Sequence, residues 1–241
     1  MQITQRITEN AHSPGQHRPI VLGFLGDSVT QGCFELYRSG KDSLDTEYRS
    51  GAVYHSKLKR MLETVFPNVP INIINAGIGG ESAQEGRRRL ERDILAFAPD
   101  LVVVCFGLND VNAGMDGLAD YEHALDSIFK ELNRAAIETI FLTPNMVGTR
   151  ATVETPDPMI QSVLQEMTRF QADGTMDAYM ERARAVCARN QIPLCDCYAK
   201  WKRLEQNGAD ITRLLSNRVN HPTEQMHWLF AVSLFEMMMG F

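Results

Sequence analysis

Residues 20–32 read IVLGFLGDSVTQG, and this stretch decides the fold. The run from Ile20 to Leu25 is apolar on both faces, as expected for a strand buried inside a parallel sheet. It stops at Gly26-Asp27-Ser28, where small and polar residues take over. Ligands of such sheets gather at the carboxyl ends of the strands, so a serine placed directly after a buried strand is a candidate functional residue.

Further apolar runs follow along the chain and alternate with helical patterns. The strand-like runs cover residues 71–75, 101–106, 139–143 and 192–196. The patterns with helical periodicity cover residues 54–65, 82–97, 118–138, 175–190 and 224–239. Strands that alternate with helices predict an α/β fold, a three-layer α/β/α sandwich around a five-stranded parallel sheet.

The length and charge of the chain limit the number of domains and the classes of partner that we expect. A chain of 241 residues predicts a single domain over residues 1–241, with residues 1–18 as a mobile N-terminal arm. A formal net charge of -6 argues against a nucleic-acid partner, which requires a concentrated cationic surface. Arg87, Arg88 and Arg89 stand among acidic residues, and we interpret them as a solvated helix face. Nothing in the sequence points to a particular oligomeric state.

Membrane and metal partners are not expected either. The apolar runs fall short of the roughly 20 residues that span a bilayer, and the N-terminus lacks the apolar segment of a secretory signal. The predicted location is therefore cytoplasmic. The cysteines are odd in number, which favours buried thiols over disulfides. Cys195 and Cys197 lack the nearby histidines or second cysteine pair of a zinc site, so we expect no metal.

Polar motifs follow the first three strand-like runs, and one more stands near the C-terminus. They are GDS at 26–28, NAGIGG at 75–80, GLND at 107–110 and HP at 221–222. Each alone has an ordinary explanation as a helix cap or a turn. Together they supply the parts of a serine hydrolase. Ser28 is the candidate nucleophile and His221 the candidate general base, because a serine hydroxyl attacks only when a neutral imidazole takes its proton. The N–H groups of Gly80 and Ser28 and the side-chain amide of Asn109 are candidate donors to the oxyanion.

These four motifs, in this order, resemble the sequence blocks of the GDSL-type SGNH hydrolases. The resemblance implies a flavodoxin-like fold with strand order 2-1-3-4-5 and a metal-free, cofactor-free esterase. It also implies a small-molecule ester substrate, with a short acyl group such as acetyl on a carbohydrate as one candidate. It assigns Ser28, Gly80, Asn109 and His221 the roles given above, and the choice of Gly80 over Gly79 rests on the spacing of the family motif.

The chain departs from this family at the residue that orients the histidine. The family places an aspartate three positions before the histidine, and here that position holds Arg218, which cannot accept the imidazole N–H. A backbone carbonyl of residues 218–220 is the favoured substitute. The side chain of Asn220 and a distant carboxylate, Asp196 or Asp210, are the alternatives.

Other features leave alternatives open. Residues 33–52 and 145–174 are long for loops and are either substrate walls or lids, or surface excursions with short helices. Asp27 neighbours the nucleophile and is expected to make structural hydrogen bonds. His227 falls within the last helix and is expected to be either a packed or a surface histidine. Two rival functions remain: a catalytically silent binding protein, suggested by Arg218, and a flavodoxin-like phosphate or nucleotide binder, which the absence of a phosphate-loop lysine disfavours.

Overall fold

The computed structural model describes residues 1–41, 43–150 and 157–241. Its main sheet is parallel and consists of β1 (Ile20–Gly26), β4 (Ile71–Gly77), β5 (Leu101–Cys105), β6 (Glu138–Leu142) and β7 (Leu194–Cys195). A separate antiparallel hairpin consists of β2 (Cys33–Arg38) and β3 (Leu44–Tyr48). The strand order of the main sheet is β4-β1-β5-β6-β7. Numbered within this sheet, the order is 2-1-3-4-5, which confirms the predicted topology.

The central position of β1 brings three of the sequence motifs together. In the register of the sheet, Gly26 of β1 lies beside Gly77 of β4 on one side and Cys105 of β5 on the other. All three strands therefore end at the same level, and the segments that follow them meet at one edge. Every residue of β5 is buried, which explains its continuous apolar sequence.

Helices cover the sheet and fill the connections between its strands. The longer ones are α1 (Gln2–His12), α3 (Tyr54–Val65), α6 (Leu118–Arg134), α7 (Pro158–Ala172), α8 (Thr175–Asn190), α9 (Cys197–Gln206) and α10 (His227–Met239). Shorter ones are α2 (Ser28–Gln31), α4 (Ala83–Arg88) and α5 (Leu90–Asp93). In the part of the chain that the structure describes, no helix has the length and apolar character needed to cross a membrane.

The helix predicted over residues 82–97 is divided into shorter pieces. It breaks at Arg89, whose backbone leaves the helical region (φ −107°, ψ 3°), and it ends in a 3-10 turn at Leu95–Phe97. The interpretation of the arginine cluster as a solvated face is right for Arg87 and Arg88, which are exposed, and wrong for Arg89, which is buried. The break turns the Arg89 side chain toward the sheet.

The predicted mobile arm at residues 1–18 is corrected for its first part, which forms α1. Ile3 and Ile7 stand one helical turn apart and are fully buried in the core. The helix start is fixed by Glu138, whose carboxylate accepts the backbone N–H of Gln2 at 3.0 Å. Arg6 forms an ion pair with the buried carboxylate of Asp100. Apolar packing and these polar contacts hold the segment against the fold. The single-domain organisation stays a prediction.

The two long stretches have structure of their own. Most of residues 33–52 forms the β2–β3 hairpin, and a large part of residues 145–174 forms α7. Residues 151–156, within the second stretch, lie outside the described residues. The hairpin and α7 are joined by a two-point ion pair in which Arg38 Nε and Nη2 donate to the carboxylate of Asp157 at 2.7 and 2.9 Å. Both elements border the cavity described below.

Candidate active site

Ser28 occupies the first position of α2, immediately beyond β1. Asp27 caps this helix, its carboxylate accepting the N–H of Val29 at 2.9 Å, which is the structural hydrogen bonding expected for it. The turn needs glycine at position 26, because a Cβ there would lie 2.2 Å from Thr30 Oγ1 and 2.8 Å from the Cys105 carbonyl oxygen. This close approach sets Ser28 at the end of the strand, where the residue is 6% exposed.

His221 lies on a loop whose backbone is held by the side chain of Asn217, a residue of the same loop. The Oδ1 atom of Asn217 accepts the backbone N–H groups of Val219, Asn220 and His221, at 2.9–3.0 Å. The loop places His221 Nε2 3.0 Å from Ser28 Oγ. The nucleophile and base candidates, which are 193 positions apart in the sequence, are thus in hydrogen-bond contact. His227, in contrast, is buried at the start of α10 and accepts the N–H of Tyr54 at 3.2 Å, as expected for a packed histidine.

The other ring nitrogen of His221 has a main-chain partner. Its Nδ1 lies 2.8 Å from the carbonyl oxygen of Phe34, in β2. A carbonyl can only accept, so Nδ1 carries the proton and Nε2 presents its lone pair to the Ser28 hydroxyl. The Phe34 ring is fully buried and packs against His227 and the Arg49 guanidinium, which fixes the position of this carbonyl. The prediction that a backbone carbonyl orients His221 agrees with this contact, but the prediction that residues 218–220 supply the carbonyl is wrong, because it belongs to Phe34.

The other candidates for orienting His221 are engaged elsewhere. Arg218 has a positive φ of 60° and donates to the carbonyls of Arg213 and Leu215. Because its backbone turns there, the residue at the family's acid position carries its side chain toward those carbonyls. Asn220 uses its side-chain oxygen to accept the amide of Asn217 at 3.0 Å.

The two distant carboxylates also have other functions in the structure. Asp196 caps α9 by accepting the N–H of Ala199 at 3.1 Å, and it pairs with Arg184 at 2.8 Å. Asp210 pairs with Arg150. Asp196 is therefore engaged as a helix cap, and neither carboxylate is among the hydrogen-bond partners found for His221 in the described chain.

The turn after β4 and the end of β5 present hydrogen-bond donors near Ser28. Gly79 donates its N–H to Gln31 Oε1 at 2.7 Å, so this N–H is already used in a hydrogen bond within the protein. Gly80 has a φ of +80°, and a Cβ built there meets nothing within 4 Å, so its backbone borders open space. One N–H of the Asn109 amide donates to the Glu81 carbonyl at 2.9 Å, which leaves the second N–H of that amide available, and Asn109 lines the cavity over Ser28. This geometry favours Gly80 over Gly79 as the donor.

Burial sets the protonation of the site. It lowers the pKa of His221 to about 4, with the Phe34 hydrogen bond acting more weakly in the opposite direction. The ring is therefore neutral at pH 7 and able to accept a proton. Burial also raises the pKa of Asp27 and of Asp110 to about 7 each, against the effect of the backbone N–H groups that they accept. A second oxygen of each carboxyl group, Oδ2, has no partner in the described chain.

A cavity of about 250 Å³ opens over the serine and the histidine. Its apolar walls come from Leu36 and Leu44 of the hairpin and Val163 of α7. The remaining lining residues are Ser28, Cys33, Asp45, Thr46, Tyr48, Gly79, Gly80, Asn109, Asn220 and His221. All four residues proposed from the sequence border this one space. Within the described residues, no group of three or more His, Cys, Asp or Glu side chains could hold a metal ion.

Comparison with known proteins identifies the family. The GDSL-like Lipase/Acylhydrolase family matches residues 24–229, most of the chain. Among curated proteins, an acetylxylan esterase from Geobacillus stearothermophilus is 30% identical over 132 residues. That match covers 51% of this chain and 58% of the enzyme, so it spans little more than half the length of the relative.

Solved structures extend the likeness over nearly the whole chain. The crystal structure of Axe2, an acetylxylan esterase from Geobacillus stearothermophilus, matches with a TM-score of 0.67 and 26% identity, over 92% of this chain and 94% of that chain. Related structures are catalytic mutants of Axe2 at a serine, an aspartate and a histidine, the aspartate standing three positions before the histidine.

A two-domain esterase active on acetylated mannans shares the fold, with a TM-score of 0.65 and 16% identity over 99% of this chain and 52% of that chain. The ordered motifs, the sheet topology and the family match agree. The chain belongs to the GDSL-like lipase/acylhydrolase family, the SGNH-type ester hydrolases.

Proposed function

We propose that this protein is a serine esterase that removes a short acyl group, acetyl being the best candidate, from a hydroxylated carbohydrate. One observation carries the proposal: Ser28 Oγ, the His221 ring and the Phe34 carbonyl form a continuous hydrogen-bonded chain, with contacts of 3.0 and 2.8 Å. In Axe2 the mutated aspartate stands three positions before the mutated histidine, the spacing of Arg218 and His221 here. The carbonyl takes over the orienting role, which weakens the reason for considering a silent binding protein.

The geometry suggests a two-step mechanism. Nε2 of His221 takes the proton of Ser28 as Oγ attacks the ester carbon, and the new oxyanion accepts the N–H groups of Gly80, Ser28 and the Asn109 amide. The imidazolium keeps its Nδ1 proton on the Phe34 carbonyl and passes the other proton to the departing sugar oxygen. A water molecule then repeats the sequence on the acyl-enzyme, releasing the acid and restoring Ser28.

The cavity and the relatives support the substrate class. A space of about 250 Å³ with apolar walls at Leu36, Leu44 and Val163 suits a small acyl group better than a long chain. Polar groups and the ring of Tyr48 line the rest of the space, which suits a hydroxylated alcohol. A relative that is 30% identical over part of this chain is an acetylxylan esterase. A cytoplasmic location belongs to the same proposal, and the free state of all five thiols is in keeping with a reducing compartment.

Hydrolysis and covalent labelling together test the proposal. The wild-type protein is expected to hydrolyse p-nitrophenyl acetate and to release acetate from acetylated xylo-oligosaccharides. A fluorophosphonate should add once, at Ser28, as located by mass spectrometry of the peptide, and should abolish turnover. Absence of both hydrolysis and labelling would overturn the proposal in favour of a silent binding protein.

Tyr48 is expected to contribute to sugar binding. Tyr48 borders the cavity and is 56% exposed, so a sugar ring in the leaving group can stack on its side chain. Tyr48→Ala should raise KM for an acetylated xylo-oligosaccharide about three- to tenfold and leave the kinetics with p-nitrophenyl acetate unchanged. Tyr37→Ala is the matched control, because Tyr37 is 49% exposed on the same hairpin and does not line the cavity. Equal KM values for the two variants would contradict the assignment.

The distant carboxylates are expected to be dispensable for the reaction. Asp196→Asn and Asp210→Asn should each keep kcat/KM for p-nitrophenyl acetate within about threefold of wild type, since both side chains serve α9 or a surface ion pair. Thermal melting should accompany the kinetics, so that a loss of folded protein is separated from a loss of turnover. A collapse of kcat in a folded variant would transfer the orienting role to that carboxylate.

The pH dependence should reflect the low pKa of His221. Protonated imidazole cannot accept the serine proton, so kcat/KM should fall as the pH decreases through about 4, the pKa that burial gives this ring. Rates measured between pH 3 and 8, with circular dichroism at each pH to verify folding, check this. If kcat/KM instead fell as the pH decreased through about 7, the titrating group would be Asp27 or Asp110, and the assignment to His221 would be contradicted.

A further inference from the structure

Arg89 is a buried guanidinium beneath the proposed site that the mechanism does not use. Its side chain is 6% exposed, and it lies at the break between α4 and α5. We infer that Arg89 is a positioning residue for the oxyanion donors, holding the turn after β4 in the geometry that the transition state requires. The inference rests on the proposed esterase function and deepens it.

The first contacts of Arg89 join the ends of two neighbouring strands. Nη2 donates to the carbonyl of Gly26, at the end of β1, at 3.0 Å. Nη1 donates to the carbonyl of Ala76, near the end of β4, at 2.6 Å. Gly26 lies two positions before Ser28. One planar group therefore fixes both strand ends from which the nucleophile and the glycine turn extend.

The next contact connects Arg89 to the donors themselves. Nε donates to the Glu81 carboxylate at 2.5 Å. The backbone carbonyl of the same Glu81 accepts the Asn109 amide at 2.9 Å. Glu81 directly follows Gly80 in the chain, so one residue is tied to Arg89 through its side chain and to Asn109 through its main chain. Displacing Glu81 would displace both the Gly80 N–H and the Asn109 amide.

The chemistry of these contacts calls for arginine. A guanidinium presents several N–H donors in one rigid plane, whereas a lysine ammonium is a point charge on a flexible stem. Arg89 uses Nε, Nη1 and Nη2 on four different acceptors, the last being Asp93 at 3.2 Å. Glu81 and Asp93 also supply the negative charge that a buried cation needs.

Paired truncations on the two sides of Arg89 distinguish positioning from general stabilisation. Glu81 and Asp93 each form one ion pair with Arg89, and their side chains are similarly exposed, at 24% and 21%. Of the two, only Glu81 accepts a hydrogen bond from the Asn109 amide and adjoins Gly80 in the chain. Glu81→Ala should lower kcat for p-nitrophenyl acetate about 10-fold or more with KM little changed, because a misplacement of about 1 Å at a reacting centre can cost 10²-fold. Asp93→Ala should leave kcat near the wild-type value. Equal effects on kcat would overturn the inference.

Substitution of Arg89 itself gives the second measurement. Arg89→Met should lower kcat about 10²-fold in the folded protein, and Arg89→Lys should not rescue it. If Arg89 acts through the donors, combining Arg89→Met with Asn109→Ala should cost clearly less than the product of the single losses, by about fivefold or more. A loss equal to that product would overturn the inference.

The Glu81 and Asp93 pair keeps the test decisive if Arg89→Met does not fold. The outcomes also separate this inference from the proposed function. Hydrolysis and Ser28 labelling by the wild type with full kcat in Glu81→Ala would remove only the role of Arg89, whereas a wild type without hydrolysis or labelling would remove the esterase proposal.

Discussion

Replacing Ser28 or His221 by alanine is expected to lower kcat by about six orders of magnitude, and replacing both should cost no more than replacing either one. The two side chains share one proton across a 3.0 Å contact, so neither can carry out the attack on the ester without the other. Binding of the ester involves the cavity walls and the donors as well, and KM should change much less than kcat. The residual rate should come from those donors acting on water attack.

The rates of the two single variants and the double variant with p-nitrophenyl acetate check this expectation. His123→Ala is a suitable control, since His123 is an exposed histidine on α6, away from the cavity lining. It should retain the wild-type rate. Multiplicative losses in the double variant would mean that Ser28 and His221 act independently, which contradicts a nucleophile and base pair.

Asn109→Ala is expected to lower kcat by about two to three orders of magnitude with KM little changed. The amide of Asn109 is held by the Glu81 carbonyl at 2.9 Å, so its second N–H is already oriented before the substrate carbonyl becomes an oxyanion. Such a donor stabilises the charge that develops in the transition state more than it stabilises the bound ester. Asn109→Asp should lose at least as much, because an ionised carboxylate repels the oxyanion and has no N–H to donate.

A neighbouring asparagine gives the matched control for this prediction. Asn112 lies two residues beyond Asp110 in the same 3-10 segment and is exposed. Asn112→Ala makes the same chemical change outside the cavity and should keep kcat. An Asn109→Ala variant with an unchanged kcat and a raised KM would show that Asn109 binds substrate and does not stabilise the transition state.

The sequence predicted the parts of the fold that local patterns encode. The five apolar runs correspond to the five parallel strands, and α3 and α8 begin and end at the predicted residues. Burial on both faces of the sheet produces such runs, which explains why they are readable without a structure. The four candidate site residues could also be named from the sequence, because their motifs follow three strands and precede the last helix in one order, although each motif alone also fits a helix cap or a turn.

The remaining features depend on contacts that no local pattern encodes. The partner of His221 Nδ1 is a main-chain oxygen 187 positions away, and a backbone carbonyl has no side-chain signature. Arg89 looked like one of three solvated arginines, because burial of a cation depends on acceptors from distant strands. A signal for the hairpin was present, since the residues from Cys33 to Arg38 and from Leu44 to Tyr48 flank the turn-forming letters SGKDS at 39–43.

The carbonyl at Phe34 has a consequence for how this site tolerates sequence drift. Every amino acid at that position supplies the same main-chain oxygen, so no single codon change can delete the group that orients the histidine. The oxygen can only be displaced, either by insertions or deletions in the hairpin or by substitutions that loosen the packing of the Phe34 ring against His227 and Arg49. A saturation scan should therefore find that proton transfer depends on the side chains of Ser28 and His221 and, for the third group, on the position of the hairpin backbone rather than on a third side chain.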